Sequence, residues 1–271
     1  MRMLSIALLA AFVLIVSFSP LARAAYDTKT WTFMVYLDAD NNAEEYGIYD
    51  FNEMEVVGST TYVNVVVQID RIPGYYRTTP DWTGTRRYYV TQDSSRSAIG
   101  SDLIEDLGEL DMGDPATLVS FMEWVMDNYP AERYCLALWD HGGGYIGLCW
   151  DDTDGDYLTL NELYLALYTV KSERGVSVDV IAFTACVMGM IEVVYEIRDY
   201  TSVVVASEEM IPCYGELGSA TPYDGILEEL TSNPAMDGAV LAQTWVQEYS
   251  YVQEWDAATI SAISTSNIRF L

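Results

Sequence analysis

The sequence predicts an α/β fold, a mostly parallel sheet with helices over both faces. Apolar, β-branched runs recur at residues 30–37, 62–69, 134–139, 178–186 and 202–206, each short enough to be a strand. Segments of helical character separate them, and strands alternating with helices build a parallel sheet. The runs are apolar nearly throughout rather than at every second position, which marks strands buried on both faces. No repeat or low-complexity linker interrupts the 271 residues, so one domain is expected.

Residues 1–24 stand apart from that domain. Arg2 precedes an apolar run over residues 4–18, and Ala22-Arg23-Ala24 offers small residues for cleavage before Ala25. This is the pattern of an export signal rather than of a membrane span. The domain over residues 25–271 is therefore expected to be secreted or at the cell surface.

The first strand, 30–37, runs into Asp38-Ala39-Asp40-Asn41-Asn42, where Asn42 is placed to cap a helix over 43–55. A Val-rich strand follows at 62–69, and Gly74, Pro80 and Gly84 punctuate a loop before an edge or hairpin strand at 85–91. Asp114-Pro115 opens a helix that ends near Asn128-Tyr129-Pro130. Strand 134–139, helix 161–172, strand 178–186, helix 189–199 and strand 202–206 come next. Helices over 222–230 and 236–255 precede a strand-like segment at 259–264.

Acidic residues outnumber basic ones 41 to 13, a net charge of −28, and loss of Arg2 and Arg23 with the leader makes the balance more negative. Such a surface repels nucleic acid and anionic lipid, so neither is an expected partner. The cysteines are Cys135, Cys149, Cys186 and Cys213. Cys135 lies within a strand and reads as core. A Cys149–Cys213 disulfide is open to an exported protein.

The lone histidine, His141, follows the strand Leu136-Ala137-Leu138-Trp139 and precedes Gly142-Gly143-Gly144. Cys186 closes a second strand of the same kind, Val178-Asp179-Val180-Ile181-Ala182-Phe183-Thr184-Ala185-Cys186. Catalytic groups of open α/β sheets collect at the carboxyl ends of strands. One imidazole and one thiol delivered there are what a nucleophile and its base require. A helix beginning at Gly189 would put Cys186 near a helix N-terminus, which favours thiolate.

Other motifs fail on context. Gly142-Gly143-Gly144-Tyr145-Ile146-Gly147 matches the dinucleotide-binding spacing, but Leu148-Cys149-Trp150-Asp151-Asp152 follows where a helix should begin. Counting from Asp152, an EF-hand would need Gly at Tyr157 and Glu at Leu163, and loop 38–42 fails likewise at Ala43. Another calcium site in these acidic loops stays open, although no cofactor is required. One histidine and scattered cysteines give no zinc-binding spacing.

Several stretches resemble the clostripain-like cysteine peptidases, relatives of caspases and gingipains. They are Trp31-Thr32-Phe33-Met34-Val35-Tyr36-Leu37-Asp38-Ala39-Asp40-Asn41-Asn42, Trp139-Asp140-His141-Gly142-Gly143-Gly144, Cys149-Trp150-Asp151-Asp152, Asp156-Tyr157-Leu158-Thr159-Leu160, Ala185-Cys186-Val187-Met188-Gly189 and Ala206-Ser207-Glu208-Glu209. The resemblance implies a caspase-like three-layer sandwich and hydrolysis of peptide or protein substrates through a thioester. It places the base on His141 and the nucleophile on Cys186. The backbone N–H groups of Gly142 and Cys186 are then the expected oxyanion donors, each worth roughly 3 kcal/mol in model enzymes. Asp140 is not assigned as an orienting third member.

The family commonly has Asp two residues before the nucleophile, lining a pocket for Arg or Lys; this chain has Thr184. A basic preference then depends on another carboxylate, with Glu208, Glu209 and Asp224 as the candidates. Self-cleavage, known among such peptidases, would fall at Lys171 or Arg174, the basic residues between His141 and Cys186. Relatives are expected to continue past residue 271, so the chain reads as a fragment or a compact member. The alternative reading is a non-catalytic acidic domain of the same fold that binds peptides or calcium.

Overall fold

The computed structural model describes residues 28–77, 81–96, 98–214, 218–252 and 258–270. The expected leader, residues 1–24, lies outside these, as does residue 255, the expected end of the last long helix.

The central strand is β1 (Lys29–Ala39), flanked in parallel by β2 (Val63–Arg71) and β5 (Ala131–Trp139). β8 (Val178–Thr184) and β9 (Thr201–Ala206) extend the parallel array beyond β5. Antiparallel strands finish the sheet: β10 (Ser261–Ser264) beside β9, and β3 (Thr85–Tyr89) then β4 (Asp102–Gly108) beside β2. The order is β10-β9-β8-β5-β1-β2-β3-β4.

Side chains alternate across a strand, so β1 feeds two cores. Trp31, Phe33, Val35 and Leu37 face one; Met34 and Tyr36 face the other. The first is covered by α1 (Glu44–Val57), α5 (Tyr223–Ser232) and α6 (Gly238–Val252). Phe33 stacks on Trp245 of α6 at 5.7 Å between ring centroids. The second is covered by α2 (Pro115–Asn128), α3 (Leu160–Arg174) and α4 (Ile191–Ile197). The expected three layers are therefore present, with helices on both faces.

Capping follows the sequence where the signal is local. Asp114 accepts the Ala116 N–H with Pro115 in the first turn of α2. Thr159 and Glu162 form a reciprocal capping box on α3, and Gly175 closes it in the left-handed conformation.

Four expectations need correction. Of the two readings of the strand at 85–91, the hairpin agrees with its antiparallel pairing and the edge does not, because β4 covers it; the β4 sequence Asp-Leu-Ile-Glu-Asp-Leu-Gly is nearly half charged and largely exposed, so no inward apolar pattern announced it. It is held by Arg86–Asp106 and Arg87–Glu105 pairs at 2.9 and 3.0 Å. The loop after His141 contains a second small sheet, β6 (Gly147–Asp151) with β7 (Asp156–Thr159), bulged at Cys149. Cys149 lies in the α2–α3–α4 core whereas Cys213 is exposed, and all four cysteines are free, so the Cys149–Cys213 bridge is not formed. The helix expected from Gly189 begins only at Ile191, after a turn over 185–189, so Cys186 does not sit at a helix N-terminus.

Candidate active site

β5 and β8 are hydrogen-bonded neighbours in which Trp139 pairs with Thr184. His141 and Cys186 each follow two residues beyond that pair, and the Asp140 N–H still donates to the Thr184 carbonyl at 3.2 Å. Parallel register alone thus carries the two residues to one edge. They line the same cavity of about 460 Å³.

Close backbone contact fixes their loops. A Cβ on Gly142 would lie 2.1 Å from the Cys186 carbonyl oxygen and 2.7 Å from its nitrogen. Only glycine allows this approach of the two loops. The Cys186 turn is tied to the segment after β9, with Val187 N–H donating to the Glu209 carbonyl at 3.0 Å and Gly189 N–H to the Ser207 carbonyl at 2.7 Å. Val187 has φ = 54°, a left-handed conformation costly for a β-branched residue. Strain is stored one residue past the thiol.

The Cys186 sulfur is half-buried and accepts the Ile211 N–H at 3.3 Å. Burial pushes the thiol above its usual value, the Ile211 N–H pulls it back, and the charge of Asp140 pushes it up again. Partial desolvation holds the His141 imidazole below its usual value, opposed by the charge of Asp152. Both shifts disfavour the charged forms, so these surroundings do not promote the thiolate expected from a helix dipole.

His141 Nε2 lies 2.8 Å from Asn42 Oδ1. Asn42, expected as a helix cap, does not cap α1; Asn41 makes that turn by accepting the Ala43 N–H at 2.8 Å. Freed from that task, Asn42 lines the cavity. Two adjacent asparagines hid which would make the local turn and which would meet His141. Asp140 is committed elsewhere, accepting Asn41 Nδ2 at 2.7 Å and the Trp150 N–H at 2.5 Å.

The remaining site residues divide. Thr184 and Glu209 line the cavity; Glu208 is exposed outside its lining, and Asp224 lines a neighbouring cavity where Arg96 lies 3.9 Å away. Lys171 and Arg174 sit in the last turn of α3 rather than in an open connection. Lys171 donates to the Asp199 carbonyl at 2.5 Å, and Arg174 pairs with Glu123 at 3.0 Å and Asp127 at 2.8 Å. Cleavage there requires that turn to unwind, since a scissile peptide must lie extended.

The calcium-spaced loops converge differently from an EF-hand. Asp40, Asp70 and Glu109 form one group of carboxylate oxygens within 4.8 Å of one another, and Glu109, Asp151 and Asp154 a second. All-oxygen donors of this kind suit calcium rather than zinc. Several of those oxygens already accept protein donors, including Asp40 from Thr153 and Asp70 from Thr85.

A profile of the Clostripain family matches residues 35–271. Clostripain from Hathewaya histolytica is 31% identical over 187 residues, which is 62% of this chain and 36% of that protein. The chain thus spans about a third of the length of that relative. The X-ray structure of a secreted C11 cysteine protease from Bacteroides thetaiotaomicron, in complex with an irreversible peptide inhibitor, superposes with a TM-score of 0.70 at 23% identity, covering 89% of this chain and 67% of the other. An inactive zymogen C11 protease from Parabacteroides distasonis gives 0.66 at 22% identity, covering 90% and 64%. At that identity the likeness concerns the fold.

Proposed function

The chain belongs to the clostripain family, and on that premise we propose that it is an exported cysteine endopeptidase acting through Cys186 and His141. The observation that carries this reading is that the lone histidine and a free, half-buried thiol line one cavity from adjacent parallel strands.

In the proposed reaction, a bound peptide carbonyl is attacked by Cys186 sulfur as the thiol proton passes to His141. With Nε2–H donated to Asn42, Nδ1 is the basic nitrogen. Negative charge on the carbonyl oxygen is met by the N–H groups of Gly142 and Cys186. The tetrahedral species collapses to a thioester as His141 returns the proton to the leaving amine. Water, deprotonated by His141, then releases the acid and restores the thiol.

Export is supported by the leader at residues 1–24, and no helix among the described residues is long and apolar enough to cross a membrane. Protein recovered from medium should begin at Ala25. An Arg or Lys preference would rest on Glu209, the one candidate carboxylate of three that lines the cavity. Self-processing at Lys171 or Arg174 would show as fragments that vanish in Cys186→Ala. Calcium, if bound, would be held by Asp40, Asp70, Glu109, Asp151 and Asp154; no step above passes through them.

The test is hydrolysis of a denatured protein and of fluorogenic peptides. Cys186→Ala and His141→Ala should each lower kcat/KM by roughly a thousandfold or more. Wild-type protein that is folded yet inert, with no iodoacetamide labelling that Cys186→Ala abolishes, would favour the non-catalytic peptide-binding reading.

A further inference from the structure

Resting on the peptidase reading, we infer that the cavity beside Cys186 takes an uncharged, apolar side chain, aromatic or large aliphatic, from the residue preceding the cut.

The polar atoms of Trp139, Thr184 and Ser219, all lining the cavity, bond into the protein rather than into the space. Thr184 Oγ1 lies 2.8 Å from the hydroxyl of Tyr223, which is fully buried. Trp139 Nε1 donates to Asp50 Oδ2 at 2.5 Å, and Ser219 Oγ donates to the same oxygen at 2.6 Å. Asp50 also accepts the Ser219 N–H at 2.8 Å. It is fully buried and does not line the cavity, so its charge stands behind a wall of ring and methylene. With those atoms engaged, the three residues leave mainly carbon to the cavity, and Ala43, Met210, Ile211, Pro212 and Ala258 add apolar lining beside the polar Asn42, Tyr46 and His141.

Among the described residues, the lining carboxylates are Asp140 and Glu209. Asp140 is nearly buried and already accepts from Asn41 and Trp150. Glu209 is exposed, so any ion pair it makes is screened by water. Among the described residues, a Lys or Arg driven to the cavity floor would give up hydration and find no buried unpaired carboxylate there, which is costly. An apolar side chain gains by the same burial.

The test uses the full chain on fluorogenic tetrapeptides that differ only at the residue before the scissile bond. Phe, Tyr, Leu and Met should be turned over roughly tenfold or more faster than Arg and Lys. Thr184→Asp should shift turnover toward Arg and Lys, and Glu209→Gln should remove what basic turnover remains. A wild-type preference for Arg or Lys, abolished by Cys186→Ala, overturns this inference and leaves the peptidase reading standing. Absence of Cys186-dependent turnover sinks the peptidase reading instead. Calorimetric binding of N-acetyl tetrapeptide amides ending in Phe or Arg then decides the pocket by itself: tighter Phe binding supports the inference, and tighter Arg binding overturns it.

Discussion

Two polar clusters occupy the carboxyl edge of one sheet and are built in opposite ways. Over β5 and β8, His141 and Cys186 share an apolar cavity in which neighbouring polar groups are bonded inward. Over β1 and β2, Asp40 and Asp70 gather with Glu109, Asp151 and Asp154. Asp140 stands between the two, its carboxylate held by Asn41 and Trp150. In a chain of net charge −28, the difference bears on what the proposed thiol nucleophile would need. Unpaired carboxylates beside it would raise its pKa further; Asp140 is tied to donors and Asp50 is kept behind a wall, whereas Glu209 lies out in water.

The largest expected effect comes from disturbing the close contact at the reacting pair. Gly142→Ala forces a methyl against the Cys186 carbonyl and should cut kcat by roughly a hundredfold or more, with circular dichroism unchanged. Unchanged kcat would show that the contact positions nothing. The divider comes next. Asp140→Ala strands the Trp150 N–H and weakens Asn41, and should cost about 2 kcal/mol in urea unfolding.

Asn42→Ala sharpens the comparison on the cavity side. Loss of the Oδ1 contact should lower kcat by roughly tenfold with little change in KM or stability. A matching loss of stability would make Asn42 structural instead.

Two α1 carboxylates, Asp50 behind the cavity wall and Glu53 in the neighbouring cavity, give a pH test. Burial lifts Asp50 to about 7; burial, then the charges of Asp50 and Asp224, lift Glu53 to about 9. Both exceed the unfolded value of about 4, so the native state holds these protons longer. Their contribution to stability is full below pH about 4 and is lost as pH rises toward 7 for Asp50 and 9 for Glu53. Between pH 5 and 7, Asp50→Asn should flatten the decline by on the order of 1 kcal/mol. A wild-type stability that rises over this range with unchanged slope in Asp50→Asn would contradict the assignment.

The smallest effect belongs to the acidic cluster. Millimolar calcium should raise the melting temperature by roughly 2–4 °C, an increment abolished in Glu109→Gln. An increment that survives in the variant places the ion elsewhere.

Legibility followed the range of the interaction. The strands bearing His141 and Cys186 were readable because burial on both faces leaves a continuous apolar run. The α2 cap was readable because its bond spans two residues. The edge strand β4 escaped because an exposed strand carries no burial pattern. Asn42 escaped because its partner is remote in sequence and Asn41 competes for the same capping signal.

By itself the sequence determined the α/β layering, the two strand ends that carry imidazole and sulfur, and the family. Those depend on local periodicity and on residue types at specified spacings. Tertiary structure alone decided how far the thiol and imidazole are desolvated, the partner of His141, and which carboxylates reach the cavity. Each of these depends on desolvation and on distances between segments far apart in the chain, where a change of an ångström or of one rotamer reverses the outcome.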